Sequence, residues 1–306
     1  MSRKDFLLTL LVMTIWGVNF SMIKLTASEV DPLLVTAIRF MLASLPMVFF
    51  IPKPNVQWRY LIGYGVLFGM GVWGIAAWSI TAGLSSGISS ILLQSNVMLG
   101  IAVGVIFFRE RLSKNKLVGS LISLVALVIM VASNTGNVTE SGLALIGISA
   151  ISWTLVGVIV KLANTRQIFA FNVWGMLFAP APLILLAVLL HGKQIVFHAV
   201  QVWDLSTSSA LFFQVYPTTL FGYWVWNRML LKYPLSSVMP MTLLVPIFAL
   251  ISGYFVFGEV LSQMQIAASG LFILGIGLIV KPIRSQQVET SITSQGKAFE
   301  SGNYKS

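Results

Sequence analysis

The chain has 306 residues, 57% of them hydrophobic and only 9% charged, with 19 Lys and Arg against 9 Asp and Glu for a net charge of +10. A soluble domain covers its surface with about 25% charged residues, so this chain takes lipid as its solvent, and its long continuous apolar runs select helices over a barrel. The absence of cysteine excludes disulfides, thiolate catalysis and cysteine-ligated metals together.

The start, MSRKDFLLTLLVMTIWGVNF, has the basic head and apolar body of a signal peptide. The apolar run continues to Thr26 with no small-x-small cleavage site, so it reads as a retained first helix. Further along the chain, spans are predicted near 6–28, 33–51, 59–82, 85–108, 116–133, 142–163, 169–190, 206–230, 235–257 and 263–281. Each is close to the roughly 20 residues a helix needs to cross the hydrocarbon core. Asp31-Pro32, Pro52-Lys53-Pro54, Ser85-Ser86-Gly87, the run 133–137 and Tyr233-Pro234 punctuate these runs as turn formers. The last residues, 283–306, are polar and rich in Ser and Gln, and are expected to form a disordered cytoplasmic tail.

Ten helices place both termini on one side of the membrane, together with the loops after helices 2, 4, 6 and 8. That side collects 16 of the 19 Lys and Arg. Basic loops stay in the cytoplasm, which puts both termini there. The positive charge is therefore a topology signal, and it argues against a nucleic-acid partner.

A six-residue pattern recurs: FRERLS at 108–113 and FGEVLS at 257–262. Trp16 and Lys24 on helix 1 are matched at the same spacing by Trp153 and Lys161 on helix 6, and Leu84-Ser85-Ser86 by Leu235-Ser236-Ser237. Copies five helices apart face opposite sides of the bilayer. The expected architecture is thus an all-α polytopic membrane protein of two inverted five-helix repeats, 1–133 and 134–282, the construction of many secondary transporters. Glu110 and Glu259 of the repeated pattern stand at helix ends. Each is expected to accept from the amides of the helix that follows, a structural role.

Polar groups inside spans are costly and face a cavity or a partner helix. Arg39 in helix 2 is the most deeply placed charge; it must snorkel outward, pair with Asp31 or Glu29, or face a cavity. Asn19 in helix 1, and Gln94 with Asn96 in helix 4, fall near mid-span, where their amides either bind a ligand or join helices. Trp73, Trp153 and Tyr223 are candidates for an aromatic lining, with Trp16 and Lys24 in a structural or gating role. Pro246 in helix 9, and Pro180 with Pro182 in helix 7, are candidate hinges. No Asp or Glu falls in the middle of any predicted span. That excludes an exchanger counting protons on a mid-span carboxylate and favours neutral, zwitterionic or weakly anionic cargo.

The set Trp16-Gly17-x-Asn19-Phe20, Ile23-Lys24, Arg39-Phe40, Gly83-Leu84-Ser85-Ser86 and Glu110-Arg111-Leu112 resembles the EamA-type transporters of the drug/metabolite transporter superfamily, over about 5–281. The resemblance implies ten helices, two EamA repeats, a bacterial inner-membrane location and efflux of amino acids and related metabolites of the cysteine and O-acetylserine type. It implies a small-molecule substrate and the bilayer as partners, is open to a homodimer, and calls for no cofactor and no metal. The second half matches less densely, which leaves a nucleotide-sugar or drug carrier of the same superfamily as the alternative cargo class. A membrane enzyme finds little support: His191, His198 and Asp204 gather near one outer loop, and no HExxH motif occurs.

Overall fold

The computed structural model describes residues 2–106, 114–133, 138–163, 165–232, 242, 244–260 and 262–280. Among them no strand occurs. The chain forms α1 (Arg3–Glu29), α2 (Pro32–Val48), α3 (Trp58–Thr81), α4 in two pieces (Ser86–Leu93 and Asn96–Ile106), α5 (Lys114–Ala132) and α6 (Glu140–Ala163). There follow α7 in two pieces (Ile168–Met176 and Pro180–His191), α8 (Gln194–Val202), α9 (205–232), α10 (Leu244–Phe257) and α11 (Gln263–Val280). Arg3–Glu29, Trp58–Thr81, Glu140–Val160 and Ile168–His191 are each long and apolar enough to cross a membrane.

Local chemistry sets several boundaries. Ser2 caps α1 by accepting from the Asp5 amide at 3.2 Å. Asp31 caps α2 by accepting from Leu33 and Leu34 at 3.0 and 2.9 Å, with Pro32 at the first helical position, where its missing N–H costs nothing. Ser85 caps α4 by accepting from Ile88. Among the described residues each of the ten predicted segments holds helix, in whole or in part, and α8 lies outside all of them. It carries Phe197 and Val200 largely exposed, as a short amphipathic helix does beside a membrane surface.

The sequence predicted unbroken helices at two places where the structure has breaks. Helix 4 is interrupted at Gln94-Ser95, and helix 7 at 177–179, immediately before Pro180. Pro180 fits there because the first turn of a new piece needs no proline N–H. Pro246 lies within α10 and is buried. The part of predicted helix 9 before it, Glu110, and the tail 283–306 lie outside the described residues.

Large apolar side chains such as Phe49, Val128, Leu189 and Phe255 are exposed, whereas Arg39, Asn19 and Gln214 are buried. This is the reverse of a water-soluble domain. The interior is built where the two halves meet. α1 runs along α10, and α5 along α11, with Ser123 Oγ donating to the Phe272 carbonyl at 3.4 Å. Gly17 sets the α1–α10 approach: a Cβ there would overlap Phe248 Cβ and the backbone of Ala249. Gly17→Ala is therefore expected to lower the thermal unfolding midpoint in detergent, by the equivalent of about 1–3 kcal/mol for overpacking. Gly100→Ala, at a position with open space around it, should leave the midpoint unchanged or raise it, as removing a helical glycine does.

Candidate functional site

Arg39 lies seven residues past Pro32, about 10 Å along the helix at 1.5 Å per residue, and is 1% exposed. It neither snorkels nor pairs with Asp31, whose carboxylate caps α2 and meets His191 Nδ1 at 2.5 Å. Instead Nε donates to Thr219 Oγ1 at 3.0 Å, and the guanidinium stands over the Trp73 ring, 4.9 Å from its centroid. Its Nη2 has no partner. A charge at this depth costs about 2.5–3.5 kcal/mol on insertion scales. The π face and the threonine offset part of that cost, and the bare Nη2 donors are left with the rest.

The two residues that hold Arg39 belong to matching features. The middle of α3, Val66–Gly74, and the middle of α9, Gln214–Gly222, are both nine-residue stretches of π-helix. Trp73 sits in the first and Thr219 in the second. π-Helical turns are rare and gather at functional sites, because the wider coil gives up regular hydrogen bonding. Pro217 lies inside the second stretch and cannot donate; Gly69, Gly71 and Gly74 lie inside the first.

Each stretch is gripped by the opposite half. Trp16 of α1 donates from Nε1 to the Thr218 carbonyl at 3.2 Å, and Ser149 of α6 donates to the Val72 carbonyl at 2.6 Å. The matched tryptophans take matched places: the Trp16 ring lies 5.0 Å from that of Tyr223, and the Trp153 ring 5.6 Å from that of Trp73. A bare glycine admits the first of these, since a Cβ on Gly222 would meet Trp16 Nε1, and Gly71 likewise leaves room for Ser152 of α6.

The structure thus brings Trp16, Arg39, Trp73, Trp153 and Tyr223 into one cluster, extended by Phe68 at 5.2 Å from Tyr223 and Phe20 at 6.3 Å from Trp73. The Tyr223 hydroxyl and Trp73 Nε1 approach each other without closing a well-aligned hydrogen bond. Asn19 lies between Trp16 and Phe20 on the buried face of α1; it is fully buried, and neither amide atom has a partner. The Gln94 amide is engaged elsewhere: Nε2 donates to the Thr242 carbonyl at 3.2 Å. Asn96 meets α6 through its backbone, whose carbonyl accepts from Thr154 Oγ1 at 3.3 Å. Thr218, Thr219 and Gln214 escaped the sequence reading. A proline followed by two threonines in mid-span was the signal available for them.

A second polar cluster closes one end of the bundle. Lys24 Nζ meets Glu259 Oε1 at 2.7 Å. The same carboxylate accepts from Ser86 N at 3.1 Å, from Ser86 Oγ at 3.0 Å and from Gly87 N at 3.4 Å. Glu259 therefore does not serve the helix that follows it, as expected from sequence; Ser262 and Gln265 cap that helix reciprocally. It serves the N-terminus of α4 in the other half, where free amides and the helix dipole favour a carboxylate. At the opposite end of α1, Lys232 pairs with Asp5 at 2.7 Å. A cavity of about 400 Å³ lies under α8, lined by Asp31, Gln194, Ile195, Phe197, His198 and Gln201, and includes none of the Arg39 cluster. Among the described residues no His, Asp or Glu group is arranged to hold a metal.

The profile of the EamA-like transporter family matches residues 4–132 and 140–281. A probable amino-acid metabolite efflux pump of Salmonella typhimurium is 30% identical over 282 residues, covering 90% of this chain and 94% of that protein. Its namesake in Escherichia coli is 28% identical, covering 93% and 97%. A solved crystal structure with 16% identity superposes with a TM-score of 0.64 over 93% of this chain and 100% of its own, which shows a shared fold.

The Lys24–Glu259 contact carries a pH dependence of definite sign. Burial works against the charged carboxylate, but Lys24 and the Ser86 amide and hydroxyl outweigh it and hold the Glu259 pKa below its ordinary value. A depressed carboxylate stabilises the fold above its unfolded pKa and loses that contribution as pH falls through the folded one. Glu259→Gln is expected to lose about 1.5–3 kcal/mol of stability at neutral pH, the range for a hydrogen bond to a charged group. The gap in thermal midpoint between wild type and variant should persist as pH falls to the ordinary glutamate pKa, about 4.3, and close only below it. A gap already closed at pH 6 would show that the carboxylate is not held in this way.

Proposed function

Because the chain belongs to the EamA-like transporter family, a family of multi-pass membrane proteins, we propose that it exports amino acids and related small metabolites by alternating access. The observation that carries this reading is the reciprocal grip at the centre of the bundle. The first helix of each half holds the π-helical stretch of the other, so the halves meet through softened backbone around a buried polar cluster. Inverted halves exchanging such contacts are what alternating access requires. The efflux role of the relatives from Salmonella typhimurium and Escherichia coli supports the direction and the cargo class.

In this reading the protein has ten spans in two inverted repeats, 1–133 and 134–282, lies in a bacterial inner membrane with both termini in the cytoplasm, and catalyses no covalent chemistry. Asn19, Arg39, Trp73, Trp153 and Tyr223 contact the cargo. Gln94, whose amide is committed to Thr242, holds α4 in place in this conformation. The Lys24–Glu259 cluster falls at the outer end and acts as the latch of a conformation closed to the outside. The deep site holds no carboxylate among its described residues, which disfavours organic cations as cargo. It holds one arginine and no second basic group there, which disfavours nucleotide sugars with their paired phosphates.

Two measurements test the reading. Cells loaded with a mixed amino-acid pool should release cysteine, O-acetylserine or a related amino acid faster when expressing the protein. Asn19→Ala should reduce that release roughly tenfold, the 1.4 kcal/mol equivalent of one lost hydrogen bond, while reaching the membrane in normal amount. Release of no amino acid above background would move the cargo to another metabolite class. For topology, the natural absence of cysteine allows Ser2→Cys and Glu300→Cys to be labelled singly. Both should react only from the cytoplasmic side, and labelling on opposite faces would overturn the even number of spans.

A further inference from the structure

We propose that Arg39 is the carboxylate-binding residue of the transport site, and that it couples cargo binding to the movement of the two halves through the π-helical stretches that hold it. The inference rests on the transporter reading above and adds the chemical group recognised and the residue that recognises it. Three observations carry it. Arg39 is 1% exposed yet has no carboxylate partner among the described residues, and one of its two Nη groups bonds nothing. Buried charges are ordinarily paired, so a site that leaves one open is complete only when an anion joins it. The groups placed against it are neutral: Thr219, the rings of Trp73 and Phe40, and the nearby phenol of Tyr223.

The charge count selects the ligand. One guanidinium without a second cation fits a monoanion, and a planar carboxylate matches the planar fork of arginine through two parallel hydrogen bonds. The orphaned Asn19 Oδ1 is a buried acceptor of the kind an ammonium group requires. The arrangement therefore suits a zwitterion with its carboxylate on Arg39.

Coupling follows from where Arg39 is anchored. Nε is held by Thr219 in the α9 stretch, and the guanidinium carbon stands over the Trp73 ring in the α3 stretch, 4.9 Å from its centroid. A carboxylate that draws the guanidinium toward itself changes its contacts with both stretches at once. Both are segments whose hydrogen bonding is already irregular and therefore easily rearranged.

The test uses purified full-length protein in detergent and ligand-induced shifts of the thermal midpoint, with L-cysteine and L-serine, their methyl esters, the amine cysteamine, and lactate as probes. Wild type should be stabilised by the free amino acids and at least tenfold less sensitively by the esters and by cysteamine. Arg39→Met, similar in length and uncharged, should abolish the response to free carboxylates while leaving the unliganded midpoint equal or higher, because it removes an unpaired buried charge. Arg39→Lys should fold normally and bind the free acids about tenfold more weakly, since it keeps the charge and loses the fork. Equal responses to acids and esters, undiminished acid binding in Arg39→Met, or no response to any carboxylate would each overturn the proposal. Should Arg39→Met lower the unliganded midpoint, Arg39→Lys with wild-type acid binding would likewise overturn it. Arg39-dependent stabilisation by lactate alone would keep the carboxylate site and sink the amino-acid reading instead.

Discussion

A positive charge buried with no counter-ion among the described residues is the constraint around which the centre of this bundle is arranged. Arg39 cannot be moved to the surface from its place on α2, and lipid or close-packed apolar side chains on every side would leave it intolerable. The sequence therefore surrounds it with what neutral groups offer: an aromatic face in Trp73, a hydroxyl in Thr219, and a phenol in Tyr223 nearby. Thr219 is itself oriented, because its hydroxyl donates to the Gln214 carbonyl at 2.7 Å within the same π-helical stretch, leaving oxygen lone pairs to accept from Arg39. Gln214 in turn donates to Thr26 Oγ1 and to the Met22 carbonyl of α1. The charge is thus wired through α9 to α1, and each link is a hydrogen bond with a donor and an acceptor of its own.

The same wiring explains why the two halves are joined differently at the centre and at the ends of α1. At its ends α1 is tied to the second half by ion pairs, Asp5 with Lys232 and Lys24 with Glu259. In both pairs the lysine reaches water while the carboxylate is nearly buried, so opening a pair frees a solvated cation and leaves the carboxylate to its remaining hydrogen bonds, from Ser2 Oγ to Asp5 and from Ser86 to Glu259. At its centre it is tied by the Trp16 indole on the Thr218 carbonyl and on the Tyr223 ring. Aromatic packing tolerates sliding better than a buried ion pair, because its energy is spread over many weak contacts. A rigid salt bridge at mid-span would lock the halves together; a plain apolar interface would carry no polar cargo.

Much of this was legible in sequence, and the misses have physical causes. Each predicted apolar run holds described helix, since hydrophobic length is a strong local signal, but 85–108 and 169–190 are each broken in two and only 244–257 of the ninth run is described as helix. The repeated Phe-x-Glu-x-Leu-Ser and the Leu-Ser-Ser motif were both noticed, and the structure joins a member of each: Glu259 of the first reaches Ser86 of the second. Pairing them required a contact between halves that no local pattern encodes, so Glu259 was given to the wrong helix. Asn19, Trp16 and Trp73 stood out as costly or bulky groups in lipid and lie in or beside the central cluster. Gln94 stood out for the same reason, yet its amide serves Thr242, because an amide in lipid is satisfied equally well by a ligand or by a neighbouring backbone. The π-helical stretches were missed altogether. Their sequences, VLFGMGVWG and QVYPTTLFG, share almost no residues, and only their place in the fold makes them equivalents.

That last point bears on how two halves of different sequence make matching contacts. What the stretches have in common is a weakened backbone, reached in one by glycines and in the other by Pro217, and carbonyls that accept from the first helix of the opposite half. Side chains there were free to differ as long as the backbone stayed soft and a bare glycine admitted the neighbour, Gly71 in one and Gly222 in the other. The asymmetry then becomes useful. The first stretch contributes the aromatic face under Arg39 and the second the hydroxyl beside it, so one cation reads the state of both halves through two different kinds of contact. Two identical stretches would have offered it two rings or two hydroxyls. A ring holds the guanidinium plane and leaves its edge open, whereas a hydroxyl occupies an edge donor. With one of each, Nε is used, the cation stands over a π face, and Nη2 stays unbonded at the centre of the protein.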